Sequence, residues 1–268
     1  VVISSGVCTT ASNPSGLVSI VANPLDKIGV SSGGMVAYSL RALSSCYQGS
    51  AINVRRSSDN ATLDIGFTAQ GHLDTTALKT FAGSGNAYIT IWYDQSSNNR
   101  NMVQTNTGYQ PQIIFNGEFK YIGTRPAVDF YNNKVLVLTG ESYSVSSVAS
   151  VIRSEYTYWP SYHAILDASQ RIGGLLEAGN SNFHSNKYPL ELWKNGVLTP
   201  PSTSLSPTNS GMLLTFNTHS FQVPGLGIGN YDLGGGGGSI LENEVIGFSS
   251  KISNNDRELI NYNQGNYY

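Results

Sequence analysis

Charge is what this sequence has least of. Only 12% of its residues are Asp, Glu, Lys or Arg, about half the share usual in a soluble domain. With 15 basic and 17 acidic residues the net charge is −2. That balance gives no electrostatic reason to expect nucleic acid or an anionic membrane as partner, and the pair Arg55-Arg56 is too small to change it. No apolar run approaches the ~20 residues that span a bilayer, so membrane insertion is not expected. Cysteine is nearly absent. Cys8 and Cys46 can form one disulfide or remain two buried thiols, and both readings stay open. Four histidines (72, 163, 184 and 219) are scattered and no Cys-x-x-Cys occurs, which argues against zinc. There is no Gly-x-Ser-x-Gly elbow, and the glycine run Gly234–Gly238 lacks the Lys-Ser/Thr of a phosphate loop. The chain starts at Val1, as a processed product or a piece of a longer protein does.

What is present is turn chemistry and β-formers. The 29 glycines and 16 tyrosines, with many Ser, Thr and Asn, suit short strands joined by tight turns. The 268 residues are enough for one large all-β domain. Apolar runs predict strands at 51–57, 62–67, 87–93, 102–104, 112–115, 127–130, 134–138, 147–153, 164–167, 174–177, 190–194, 213–217, 226–228 and 244–248. Asn195-Gly196 predicts a type I′ hairpin. Short helices are expected over 35–45, over 75–81 with Asp74 as N-cap, and at 254–268. The pattern predicts a two-sheet antiparallel jelly-roll sandwich over residues 35–268. Residues 1–34 read as an irregular N-terminal segment with one strand, and Gly234–Gly238 as a mobile loop.

The stretch Asn86–Asn101 is the most informative. A strand of β-branched and aromatic residues ends abruptly in Asp94-Gln95-Ser96-Ser97-Asn98, a polar run that holds turns. Trp92 and Tyr93 with Asp94, Gln95 and Asn98 form one candidate sugar-binding cluster, aromatic faces beside hydroxyl-bonding groups. Tyr158 and Trp159 in the Pro160 loop form another, unless that loop plugs the sandwich edge. Asp59-Asn60 and Asp94 carry oxygens of the type that bind calcium.

Several segments resemble a concanavalin A-like, laminin-G-like jelly-roll family of viral and bacterial surface proteins. They are 37–41, 52–60, 64–67, 73–75 and Trp92-Tyr93-Asp94-Gln95-Ser96, with Arg125–Phe130 and Leu192–Gly196 fitting the same pattern. The chain is also similar, at greater distance, to the catalytic domain of B-class α-L-arabinofuranosidases, through Tyr93–Ser97 and Leu226-Gly227-Ile228-Gly229-Asn230-Tyr231-Asp232. That second resemblance implies Glu177 as nucleophile and Asp232 as acid, with Asn180 and Asn230 beside them. Asn230 interrupts the motif, and the enzymes' adjacent cysteine pair is absent.

The first expectation is therefore a non-enzymatic module on a virion or cell surface. Its partners would be a glycan or neighbouring capsid subunits, self-association included, and its setting extracellular or virion surface. The alternative is a retaining glycosidase. No cofactor is required by either, calcium being compatible with both.

Overall fold

The computed structural model describes residues 23–28, 36–160, 162–167, 175–176, 179–184, 189–230 and 239–268. The first strands are β1 Val36–Ser39, β2 Ile52–Arg56, β3 Thr62–Ile65, β4 Ala87–Trp92, β5 Met102–Val103 and β6 Gln112–Ile114. They are followed by β7 Tyr121–Ile122, β8 Arg125–Pro126, β9 Val128–Asp129, β10 Val135–Ser154, β11 His163–Asp167 and β12 Leu175–Leu176. The last are β13 Glu191–Lys194, β14 Val197–Thr199, β15 Met212–Asn230 and β16 Ile240–Phe248. Two α-helices, α1 (Thr75–Ala82) and α2 (Asn254–Tyr267), and a 3-10 turn at Pro24–Asp26 complete the described elements.

Antiparallel pairing runs β16–β9–β6–β4–β5–β10 and returns from β10 to β16, so the sheet closes into a barrel-like sandwich. β15, β11 and β12 extend outward from β10, and β2 and β3 from β4. The all-β expectation with short helices holds at this level. β10 and β15 differ from it. Each is one long strand where the sequence predicts two, because Gly140-Glu141 and the polar residues after Asn217 interrupt the apolar pattern. The backbone carries the pairing through with register shifts at Leu138/Ser142 and Val145/Ser147, as bulges do.

The helix expected over 35–45 is replaced by β1, which pairs with β16 from Val36↔Gly247 to Ser39↔Glu244. All four of its residues are buried. Burial on both faces erases the alternation that marks a strand in sequence. α1 forms as predicted. The Asp74 carboxylate accepts from Ala77 N at 2.9 Å, and Gly83, at φ +61°, ends the helix. At the β13–β14 hairpin Asn195 (φ +51°) and Gly196 (φ +80°) take the left-handed conformation that a type I′ turn needs. Ile260 of α2 and Ile252 just before the helix pack over Ala37, Ile246 and Phe248 and seal one outer face.

The Trp92–Asn98 segment proves to be a fastening. Trp92 is fully buried in the main core. Asp94 Oδ1 accepts from Ala37 N (2.8 Å) and Ser96 N (2.9 Å), and Oδ2 from Ser96 Oγ (2.7 Å) and Arg100 N (2.9 Å). Gln95 Oε1 accepts from Leu43 N (2.8 Å), while its Nε2 donates to Ser39 O (3.0 Å) and Arg41 O (2.9 Å). These side chains tie the end of β4 to β1 and the loop after it. A carboxylate accepting several N–H groups leaves them orphaned if it is removed, which is the costly way to lose a hydrogen bond.

Candidate active site

The two strands that lead to the candidate carboxylates lie on either side of β11. His163 pairs with Leu176 of β12 on one flank and with Asn230 of β15 on the other. Both neighbours are antiparallel to β11, so they run parallel to each other and leave the sheet at the same end. Neighbouring strands lie about 4.8 Å apart, which puts the Leu176 and Asn230 backbones roughly 10 Å apart across His163. The chain passes from Leu176 directly into Glu177, and from Asn230 through Tyr231 into Asp232. Glu177 and Asp232 themselves lie outside the described residues. Gly229, at φ +129°, lets β15 finish here, since a Cβ would strike Lys134 O and the Phe130 ring.

Beneath this end lies a buried polar relay that the sequence does not announce. His163 Nε2 and Glu242 Oε2 are 3.1 Å apart and both side chains are fully buried. Ser150 Oγ donates to Glu242 Oε1 at 2.7 Å. The His163 ring meets Phe130 edge-on at 5.5 Å between centroids, and its Nδ1 has no partner among the described residues. Burial pushes the Glu242 carboxyl up from its ordinary value, against the opposing pull of His163 and Ser150. The folded state therefore holds the Glu242 proton more tightly than the unfolded chain does. This contribution to stability is complete below the ordinary carboxyl pKa and is lost as pH rises through the raised one. Glu242→Gln is expected to flatten that part of the profile, read as urea midpoints between about pH 4 and about pH 7.

The loop before β11 bonds to the segment after Glu177. Trp159 N donates to Asn180 O, and Gly179 N to Trp159 O, both at 2.7 Å. Trp159 is fully buried, so this half of the aromatic cluster plugs the sandwich edge. Tyr158 is 43% exposed and Tyr156 40% exposed, their rings 5.6 Å apart. Tyr158, Trp159, Asn180 and the strand end at Asn230 thus gather at one end of the sheet. Trp92, Asp94 and Gln95 do not join them. All three are buried, Asp94 and Gln95 in hydrogen bonds within the fold and Trp92 in the core, which leaves them no surface for a ligand. Tyr93 is half-buried, its hydroxyl donating to Asp64 Oδ1 at 2.8 Å; burial, then Asp64, push the phenol up to about 12. Asn98 N donates to Ser96 Oγ at 3.2 Å. The oxygens considered for calcium are engaged as well, those of Asp94 by amides and hydroxyl, and Asp59 Oδ2 by Arg56 at 2.7 Å. Cys46 is disulfide-bonded, and Cys8 lies outside the described residues.

Comparison with known proteins bears on this end of the sheet. Residues 31–146 match the family model of the alpha-L-arabinofuranosidase B catalytic domain. Alpha-L-arabinofuranosidase B of Aspergillus niger is 36% identical over 94 residues, 35% of this chain and 16% of the relative. The Aspergillus kawachii protein of the same name is 39% identical over 69 residues, 25% of this chain and 14% of the relative. The aligned stretches are thus a small part of the curated relatives. A mutant GH54 α-L-arabinofuranosidase soaked with 4-nitrophenyl α-L-arabinofuranoside superposes with a TM-score of 0.56 at 18% identity, over 85% of this chain and 61% of that one. A second structure, soaked with a cyclic sulfate inhibitor, gives 0.53 at 17% over the same shares. At these identities the superpositions establish a shared fold. The family model and the relatives are those of an enzyme family, and this overturns the expectation of a non-enzymatic virion or cell-surface module. The virion setting expected with it is not supported.

Proposed function

We propose that this chain is the sandwich module of a retaining glycoside hydrolase acting on α-L-arabinofuranosides, with Glu177 as nucleophile and Asp232 as acid and base. The scaffold is read as a jelly roll of the concanavalin A type. The observation that carries the proposal is the register at His163, which sends the chain toward Glu177 and Asp232 from two parallel strand ends across one intervening strand. Retention needs carboxyl groups about 5–5.5 Å apart.

In this reading Glu177 attacks the anomeric carbon while Asp232 protonates the departing oxygen. A glycosyl ester forms on Glu177. Asp232, now a carboxylate, takes a proton from water as that water attacks the anomeric carbon and breaks its bond to Glu177, so the sugar leaves with its configuration restored. The exposed pair Tyr156 and Tyr158, on the loop bonded to Gly179 and Asn180, offers ring faces to the C–H surface of a sugar. The disulfide at Cys46 suits an oxidising, extracellular setting.

The test is hydrolysis of 4-nitrophenyl α-L-arabinofuranoside followed by proton NMR of the first-formed sugar. The expected result is release of nitrophenol with the α-anomer of arabinose appearing first. No release, or the β-anomer first, ends this reading.

A further inference from the structure

A second cleft opens behind the sheet that carries the His163 relay. In β16, Glu242 turns to His163, while its neighbour Asn243 turns the other way and donates through Nδ2 to Pro126 O. Asn243 forms part of the wall of a cleft of about 610 Å³ between α1, the β7–β8 hairpin and the end of α2. That is ample for a small ligand. A neighbouring hollow of about 960 Å³ shares Thr68, Gln70, His72 and Tyr267 with it, so the two form a continuous groove. None of the groove residues belongs to the His163 end of the sheet.

The chemistry of the groove is specific. Among the described residues, no Asp or Glu lines either part. Arg41 and Lys79 are neutralised by Glu244 and Glu118. Arg125 is different: among the described residues its guanidinium has no carboxylate partner. It is held in place by Nε donating to Tyr267 O at 3.2 Å and by the Tyr267 ring 4.2 Å away. Tyr267 in turn is fixed by its hydroxyl 3.0 Å from His72 Nδ1 and by Arg41 at 4.6 Å from its ring centroid. Threonines 68, 75, 76, 80 and 124 line the same cleft. Tyr121 is 40% exposed at the mouth. The buried Asn243 Oδ1 has no partner among the described residues.

We infer that this groove is a second binding site, for an oligosaccharide bearing one carboxylate, with Arg125 receiving the carboxylate and Tyr121 a sugar face. A planar guanidinium pairs with a carboxylate through two parallel N–H bonds. Hydroxyls serve the sugar's own hydroxyls, and an exposed tyrosine its C–H face. Among the described residues no Asp or Glu side chain faces the groove to repel the acid.

The experiment is titration calorimetry on the whole chain with a glucuronate-bearing xylo-oligosaccharide, its neutral counterpart and inorganic phosphate. The acidic sugar is expected to bind about 10-fold more tightly than the neutral one, as a charge-assisted pair is worth roughly 1.5 kcal/mol or more. Its advantage should shrink as salt shortens the reach of the charge. Arg125→Gln should erase the preference. Tyr121→Ala, at an exposed position, should weaken both sugars about 3- to 10-fold without touching arabinofuranoside turnover. Equal binding of acidic and neutral sugar, or phosphate binding as tightly as the acidic sugar, overturns the inference. Hydrolysis is read separately, so a chain that binds the acid sugar but releases no nitrophenol keeps this site and loses the proposed activity.

Discussion

Glu177→Gln is expected to lower kcat for 4-nitrophenyl α-L-arabinofuranoside by on the order of 10⁴-fold or more, the scale on which removal of a covalent nucleophile acts elsewhere. Glutamine keeps the size and polarity of the side chain but cannot form the glycosyl ester. Asp232→Asn should behave differently. Nitrophenol departs without protonation, so the loss on this substrate falls mainly on the second step, where a base must activate water. A small anion such as azide needs no base, and adding it should restore turnover in Asp232→Asn and yield an α-configured azide. Glu177→Gln should not respond with that stereochemistry. If both variants keep wild-type kcat, neither residue is catalytic and the chemistry lies elsewhere.

The largest effect on stability is expected at Glu244. Its carboxylate is fully buried and meets Arg41 Nε at 2.7 Å and Arg41 Nη2 at 3.0 Å. Ser39 Oγ (3.0 Å), Gln264 Nε2 (3.1 Å) and Tyr268 Oη (3.2 Å) also donate to it. Arg41 Nη1 donates to Asn263 Oδ1 at 2.5 Å. Five groups from β1, the segment after it and α2 thus converge on one side chain of β16. Glu244→Ala leaves a buried guanidinium uncompensated, and the expected loss is about 3–5 kcal/mol in urea unfolding. Replacing both partners, Arg41→Met with Glu244→Leu, should recover most of it, because no buried charge remains. A double variant no more stable than Glu244→Ala would show that the surrounding hydrogen bonds, not the charge, carry the loss.

How much of this was legible in the sequence depends on the range of each signal. Asp74 as a cap and Asn195-Gly196 as a turn are set within three residues, and both appear as read. β1 was missed because Val36, Ala37, Tyr38 and Ser39 are buried on both faces and show no alternation. Trp92 and Asp94 carried the right residue types for sugar binding. Their strand end is clamped to β1, some 57 residues earlier in the chain for Ala37 to Asp94, and that contact has no local signature. The His163–Glu242 pair spans 79 residues and was invisible for the same reason. Glu177 and Asp232 could be named only through resemblance to a family. The register that supports them comes from strands whose pairing no single segment reveals.

β10 has a consequence for how this chain is made. Val148 pairs with Phe216 on one flank and Gly247 on the other, and both partners lie far downstream. At about 5–20 residues per second of synthesis, β10 waits roughly 5–20 seconds before β16 leaves the ribosome. Until β15 follows, the flank of β10 that it covers lacks that partner, and the flank facing β16 stays open longer still. Ser142, Ser144, Ser146 and Ser147, interspersed with Tyr143 and Val145, place hydroxyls in the middle of β10. The strand that pairs with both β15 and β16 in the finished protein is also one that the nascent chain must shelter for long.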